Sequence, residues 1–131
     1  MRYMMLVYST EPSEGLSPAE AEEVRSGHGK VIEEAARKGI LQGAEPLAPI
    51  GTATTVRMAD GRAIVMDGPF AETKEHLAGY YILECEDLDD AIEWAAKIPT
   101  KCRGGEGCIE IRPLPGLPDL GGEGAGSVSK S

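Results

Sequence analysis

Residues 2 to 9 are apolar on both of their alternating sets: Tyr3, Met5 and Val7 on one, Met4, Leu6 and Tyr8 on the other. Side chains alternate across a strand, so this segment asks for cover on both of its faces. A chain of 131 residues makes one domain and carries little material for a third layer. Either the second face is left to water, or a second molecule covers it.

The rest of the chain supplies one covering layer. Ser17-Pro18-Ala19-Glu20 is a helix start: Ser17 caps, Pro18 suits the first helical position, and Glu20 reaches back to close a capping box. Val24, His28, Val31, Ile32 and Ala35 follow at helical spacing, and Gly39 offers a left-handed stop. Residues 53 to 58 and 62 to 67 read as strands joined at Asp60-Gly61, a pair suited to a tight turn at positive φ. Gly79 to Cys85 reads as a further strand. Asp87 caps a second helix over 88 to 98, which Pro99 ends, and Cys108 to Arg112 form a last strand.

This order of strand, helix, hairpin strands, strand, helix and strand gives two βαβ-like halves. The fold class it predicts is α+β: a ferredoxin-like antiparallel sheet with both helices on one face. Two such sheets packed face to face would cover the apolar sets left over, so the expected state is a homodimer. The folded domain is expected over 1–113. Residues 114–131 are rich in Gly, Pro and Ser and read as a flexible tail.

Charge and cysteine usage narrow the partners. The formal net charge is −9, and Lys and Arg form no cluster; the reading expects neither nucleic acid nor an anionic membrane surface as a partner. No run approaches the ~20 apolar residues of a membrane span. Cys85, Cys102 and Cys108 make an odd count without a Cys-x-x-Cys pair, which suggests neither a disulfide framework nor a zinc ribbon. A reducing cytoplasm is the expected compartment. His76 with Cys102 and Cys108 fits no common zinc spacing. Gly104-Gly105-Glu106-Gly107 leads into a strand instead of a helix, so it lacks the dipole of a phosphate loop. No cofactor and no metal are expected.

The run Val65-Met66-Asp67-Gly68-Pro69-Phe70-Ala71-Glu72-Thr73-Lys74-Glu75 resembles the signature of the YCII-related (DGPF-domain) family. So do Ala53-Thr54-Thr55-Val56-Arg57 before it, and Gly79-Tyr80-Tyr81-Ile82, Asp87-Leu88-Asp89-Asp90-Ala91 and Glu110-Ile111-Arg112-Pro113 after it. The chain departs from the pattern at His76 and Ala78 and in the glycine-rich approach to the last strand. The resemblance implies a dimeric α+β barrel and a histidine–acid pair in a cleft. For some members it also implies a link to alternative sigma factors.

His28 is the leading candidate for chemistry. It lies on the apolar side of the first helix between Gly27 and Gly29. Each glycine costs about 0.5–1 kcal/mol in a helix interior, so a reason is required. Either a strand, partner or ligand comes close beside the imidazole, or the glycines pack tightly around a core histidine. Asp67 ends a strand ahead of Gly68-Pro69. It would orient His28 or bind a polar group; alternatively it bonds turn amides. Phe70, Tyr80 and Tyr81 are candidate pocket walls, with Phe70 as a core plug in the alternative. Glu72 and Lys74 either complete a polar pocket or belong to a solvated charged run.

Two functions follow. One is a small-molecule enzyme without a redox cofactor, in which His28 carries a proton and Asp67 or Glu72 orients it. The other is a non-catalytic ligand sensor or regulatory partner, whose acidic surface would steer a basic protein, with a sigma factor as one candidate.

Overall fold

The computed structural model describes residues 1–10, 15–71, 73–100 and 106–117. The elements are β1 (Arg2–Thr10), α1 (Pro18–Arg37), β2 (Leu41–Pro46), β3 (Thr54–Ala59), β4 (Arg62–Asp67), β5 (Glu75–Glu84), α2 (Leu88–Ala95) and β6 (Gly107–Leu114), with a short 3-10 turn at Ile50–Thr52. Four strands form an antiparallel sheet in the order β2-β5-β1-β6, and β3 and β4 pair as a separate two-stranded sheet. This is the α+β, ferredoxin-like arrangement: β1 and β5 are central, and each helix connects two strands that flank a third. The sheet is open within one chain.

Both helices pack on one face. Tyr3, Met5 and Val7 of β1 and Tyr81 and Leu83 of β5 meet Val31 and Ala35 of α1 and Ala91 and Trp94 of α2 in a single cluster. Burying a side chain such as Leu83 or Met5, both fully enclosed, contributes about 1.5–3 kcal/mol. The opposite set of β1, namely Met4, Leu6 and Tyr8, is only half-buried, as is Ile82 beside it. The two-sided apolar pattern of β1 is thus satisfied on one side within the chain.

Local signals set the helix ends. Ser17 Oγ accepts from the Glu20 amide at 3.1 Å, and the Ser17 amide donates to Glu20 Oε1 at 3.0 Å, closing the capping box. The Asp87 side chain accepts from the Asp90 amide at 2.9 Å. The second helix is shorter than the expected 88–98. After Ala95 the amides of Lys97 and Ile98 bond to Trp94 and Ala95, tightening the last turn before Pro99.

The hairpin turns at Asp60 (φ 51°) and Gly61 (φ 74°), both left-handed as the turn requires. It does not occupy the sheet position that its place in the order suggests. That position belongs to β2, which the pattern reading missed. Gln42-Gly43 and Glu45-Pro46 hide the strand, because its register slips between Leu41 and Gly43. Its proline is tolerated because β2 lies at the sheet edge. Displaced from the sheet, β3 and β4 leave Val56, Met58, Ile64, Val65 and Met66 exposed.

Candidate functional site

The helices do not cover the sheet evenly. The C-terminal half of α1 packs through Val31 and Ala35. Along a neighbouring stripe from Ala21 to Ile32, the residues Ala21, Val24, Arg25, His28, Gly29 and Ile32 face a cleft of about 500 Å³. These positions recur at spacings of three and four, so they make one continuous helix stripe. The facing wall is Ala44 to Leu47 at the end of β2 and Ala78 to Tyr81 of β5, with Val7 of β1 and Leu16 also in the lining. The volume suits a small organic molecule, and the lining is mainly apolar with a few polar groups.

Close backbone packing holds that wall. The Leu47 amide donates to the Ala78 carbonyl at 2.8 Å. A Cβ at Gly79 would lie 2.8 Å from the Glu45 carbonyl oxygen and 3.2 Å from Pro46 Cα. Glycine at 79 therefore lets the β2 end lie close against β5. On the other side, a Cβ at Gly27 would come within 2.8 Å of the Pro99 ring. That explains one of the two glycines beside His28: it seats α1 against the segment after α2.

Inside the cleft, His28 Nδ1 and the Tyr81 hydroxyl are hydrogen-bonded at 2.5 Å. The two rings lie nearly parallel, with centroids 5.9 Å apart and planes 22° from each other. Tyr81 is 3% exposed, and a buried phenol needs a partner for its hydroxyl. His28 is half-buried, and burial holds its pKa below the ordinary histidine value because it penalises the charged ring. Neutral imidazole carries one N–H and one lone pair. Either the phenol donates to Nδ1 or Nδ1–H donates to the phenol; in both arrangements the pair fixes the ring and offers a route for a proton.

Of the residues the sequence nominated, the structure brings His28, Tyr80 and Tyr81 to this cleft. Asp67 ends β4 on the separate hairpin and is exposed; it is absent from the cleft lining because the hairpin does not join the four-stranded sheet. Phe70 is 76% exposed and Lys74 is exposed, both in the segment between β4 and β5. Glu72 lies outside the described residues. Arg25 and Glu45 were not foreseen as cleft residues. Arg25 is ion-paired with Glu22 at 3.3 Å on the surface, and Glu45 belongs to the strand whose pattern was hidden.

Cys85 and Cys108 are not among the residues that line the cleft. Burial pushes the Cys85 thiol up to about 11, with Asp90 adding to the shift. Cys108 Sγ lies 3.4 Å from Glu75 Oε2, and its thiol is also shifted up, by burial first and Glu75 second. Thiols held protonated are poor nucleophiles. Cys102 lies outside the described residues, as does most of 114–131. Among the described residues no group of three or more His, Cys, Asp and Glu is placed to hold a metal ion, and no helix is long and apolar enough to cross a membrane.

The YCII-related domain matches residues 1–115. An uncharacterised protein of Rhizobium meliloti (strain 1021) is 37% identical over 115 residues, which cover 87% of this chain and 92% of that protein. A match across all the elements described above, at that identity, leaves one conclusion: the chain belongs to the YCII-related domain family.

Proposed function

We propose that the chain binds a small, largely apolar molecule in the cleft between α1 and the β2–β5 edge, and performs general acid–base chemistry on it through His28 and Tyr81. The observation that carries this reading is the 2.5 Å His28–Tyr81 hydrogen bond in the wall of a cleft of about 500 Å³. A histidine kept neutral by burial is a base near pH 7. The phenol positions the ring and can carry a proton to or from its Nδ1. Substrates of this kind would undergo isomerisation, elimination or hydrolysis, reactions in which proton transfer is the main requirement.

The reading is tested on His28→Ala and Tyr81→Phe against a panel of small apolar acids, ketones and lactones. Turnover of a panel member that falls at least about a hundredfold in His28→Ala supports it. Turnover undiminished in that variant would sink it.

The mainly apolar lining favours a second reading, in which the cleft holds a ligand without converting it. The two differ in one readout. A pure binding site shows saturable binding that leaves the ligand chemically unchanged over long incubation, whereas the acid–base reading shows consumption.

We also propose that a second copy of the chain covers the sheet face opposite the helices. Met4, Leu6, Tyr8 and Ile82 are half-buried there, and the hairpin exposes apolar side chains on both of its faces. An isolated two-stranded hairpin is marginal in water, so contact with a partner would account for its sequence. In the assembled state two open sheets would form one barrel-like unit.

A further inference from the structure

Gly27 and Gly29 flank His28, and the fold explains only the first. A Cβ at Gly27 would strike Pro99 at 2.8 Å, whereas a Cβ at Gly29 meets nothing within 4 Å among the described residues. Gly29 does not need the left-handed backbone, since it lies within α1 and is not among the residues with positive φ. A mid-helix glycine weakens a helix relative to alanine, so here the fold bears that cost without a packing return. Yet Gly29 lines the cleft, one residue from His28 and one turn from Arg25 and Ile32. The missing side chain leaves helix backbone open to whatever the cleft holds.

We propose that Gly29 is the specificity-determining position of the cleft, and that its ligand is a ring-bearing apolar molecule with one hydrogen-bonding group, lying across the α1 backbone at Gly29. This rests on the cleft being a ligand site. The ring preference follows from the surroundings. Of the His28–Tyr81 pair, the half-buried imidazole presents an aromatic face to the cleft, on which another ring can lie offset. Removing a Cβ lets a flat body approach a helix more closely than a branched chain needs. The ligand's polar group lies toward the same pair, whose imidazole and phenol both hydrogen-bond.

The test uses the full chain and 2-naphthol, a fluorescent bicyclic probe with a single hydroxyl. Binding is followed by fluorescence titration and located by backbone amide NMR shifts. Gly29→Ala should raise Tm by about 2–6 °C, because helix propensity improves and nothing clashes. It should also weaken 2-naphthol binding about tenfold, and Gly29→Leu should weaken it further. Ser26→Ala, an exposed change in the same helix outside the cleft lining, should leave binding unchanged. If 2-naphthol shifts cleft amides and the two Gly29 variants bind it as the wild type does, this inference is overturned while the cleft remains a ligand site. If 2-naphthol binds without shifting cleft amides, or does not bind, this inference is overturned, and the cleft reading stands or falls separately on the panel of acids, ketones and lactones.

Discussion

At the scale of single residues, the chemistry of the chain gathers around groups that only the fold could pair. The periodicity of α1 singled out His28, yet its partner is a tyrosine 53 positions away, and no local pattern announces such a pair. Tyr81→Phe removes the hydrogen bond to His28, and loss of a bond of that kind should cost about 0.5–1.5 kcal/mol of stability by urea denaturation. The pH dependence has a defined sign. Burial lowers the His28 pKa in the folded state, so below the ordinary value of about 6.5 the unfolded chain binds more protons. Stability should fall as pH drops from there through the lowered folded value, and a His28→Asn variant should lack that slope. Denaturation midpoints that do not change between pH 7 and 5 in the wild type would contradict this.

A separate residue cluster pins α2 to α1. Lys97 Nζ lies 2.7 Å from Glu34 Oε1 and 4.4 Å from the centre of a Trp94 ring, while Lys38 approaches the same carboxylate at 3.7 Å and the same side chain at 5.6 Å. The Lys97 hydrogen bond is the main cause holding the Glu34 carboxyl below its usual range. Trp94 is the sole tryptophan, so Glu34→Ala should alter the tryptophan emission of the folded protein. An unchanged spectrum would show that the carboxylate does not hold the lysines over the ring.

At the scale of elements, legibility tracked how local the governing interactions are. The capping box at Ser17, the hairpin turn at Asp60-Gly61 and the Asp87 cap depend on neighbours in sequence, and all three were readable. Strand β2 was not, because a register slip, two glycine- or proline-bearing dipeptides and an edge position remove the alternation that marks a strand. Missing β2 also hid the far wall of the cleft, including Glu45. The close approach of this wall to β5 makes Gly79→Ala a sharp test: its Cβ would meet backbone atoms, and the expected loss is about 1–3 kcal/mol. A neutral change in urea midpoint would mean that β2 moves freely at its end.

At the scale of the whole molecule, the two-sided pattern of β1 predicts association. Leu6→Glu places a charge at the centre of the half-buried sheet face. It should convert a dimer of 13.9 kDa chains to monomer in sedimentation at micromolar concentration, with the helix-side core intact. A wild type that sediments as monomer under those conditions would remove the second copy from the account. The acidic surface, net −9, points to solubility and to repulsion of polyanions, and it leaves the choice of ligand to the cleft.

The claim on which the account turns is that this cleft, organised by His28 and Tyr81, is where the chain meets a small molecule. Its most direct test is a ligand-detected NMR screen of small apolar compounds at pH 7, run in parallel on the wild type and on His28→Ala. The account predicts hits with the wild type that disappear or weaken at least about tenfold in the variant, a loss of 1.4 kcal/mol or more. Hits of equal strength with both proteins, or none with either, would contradict it.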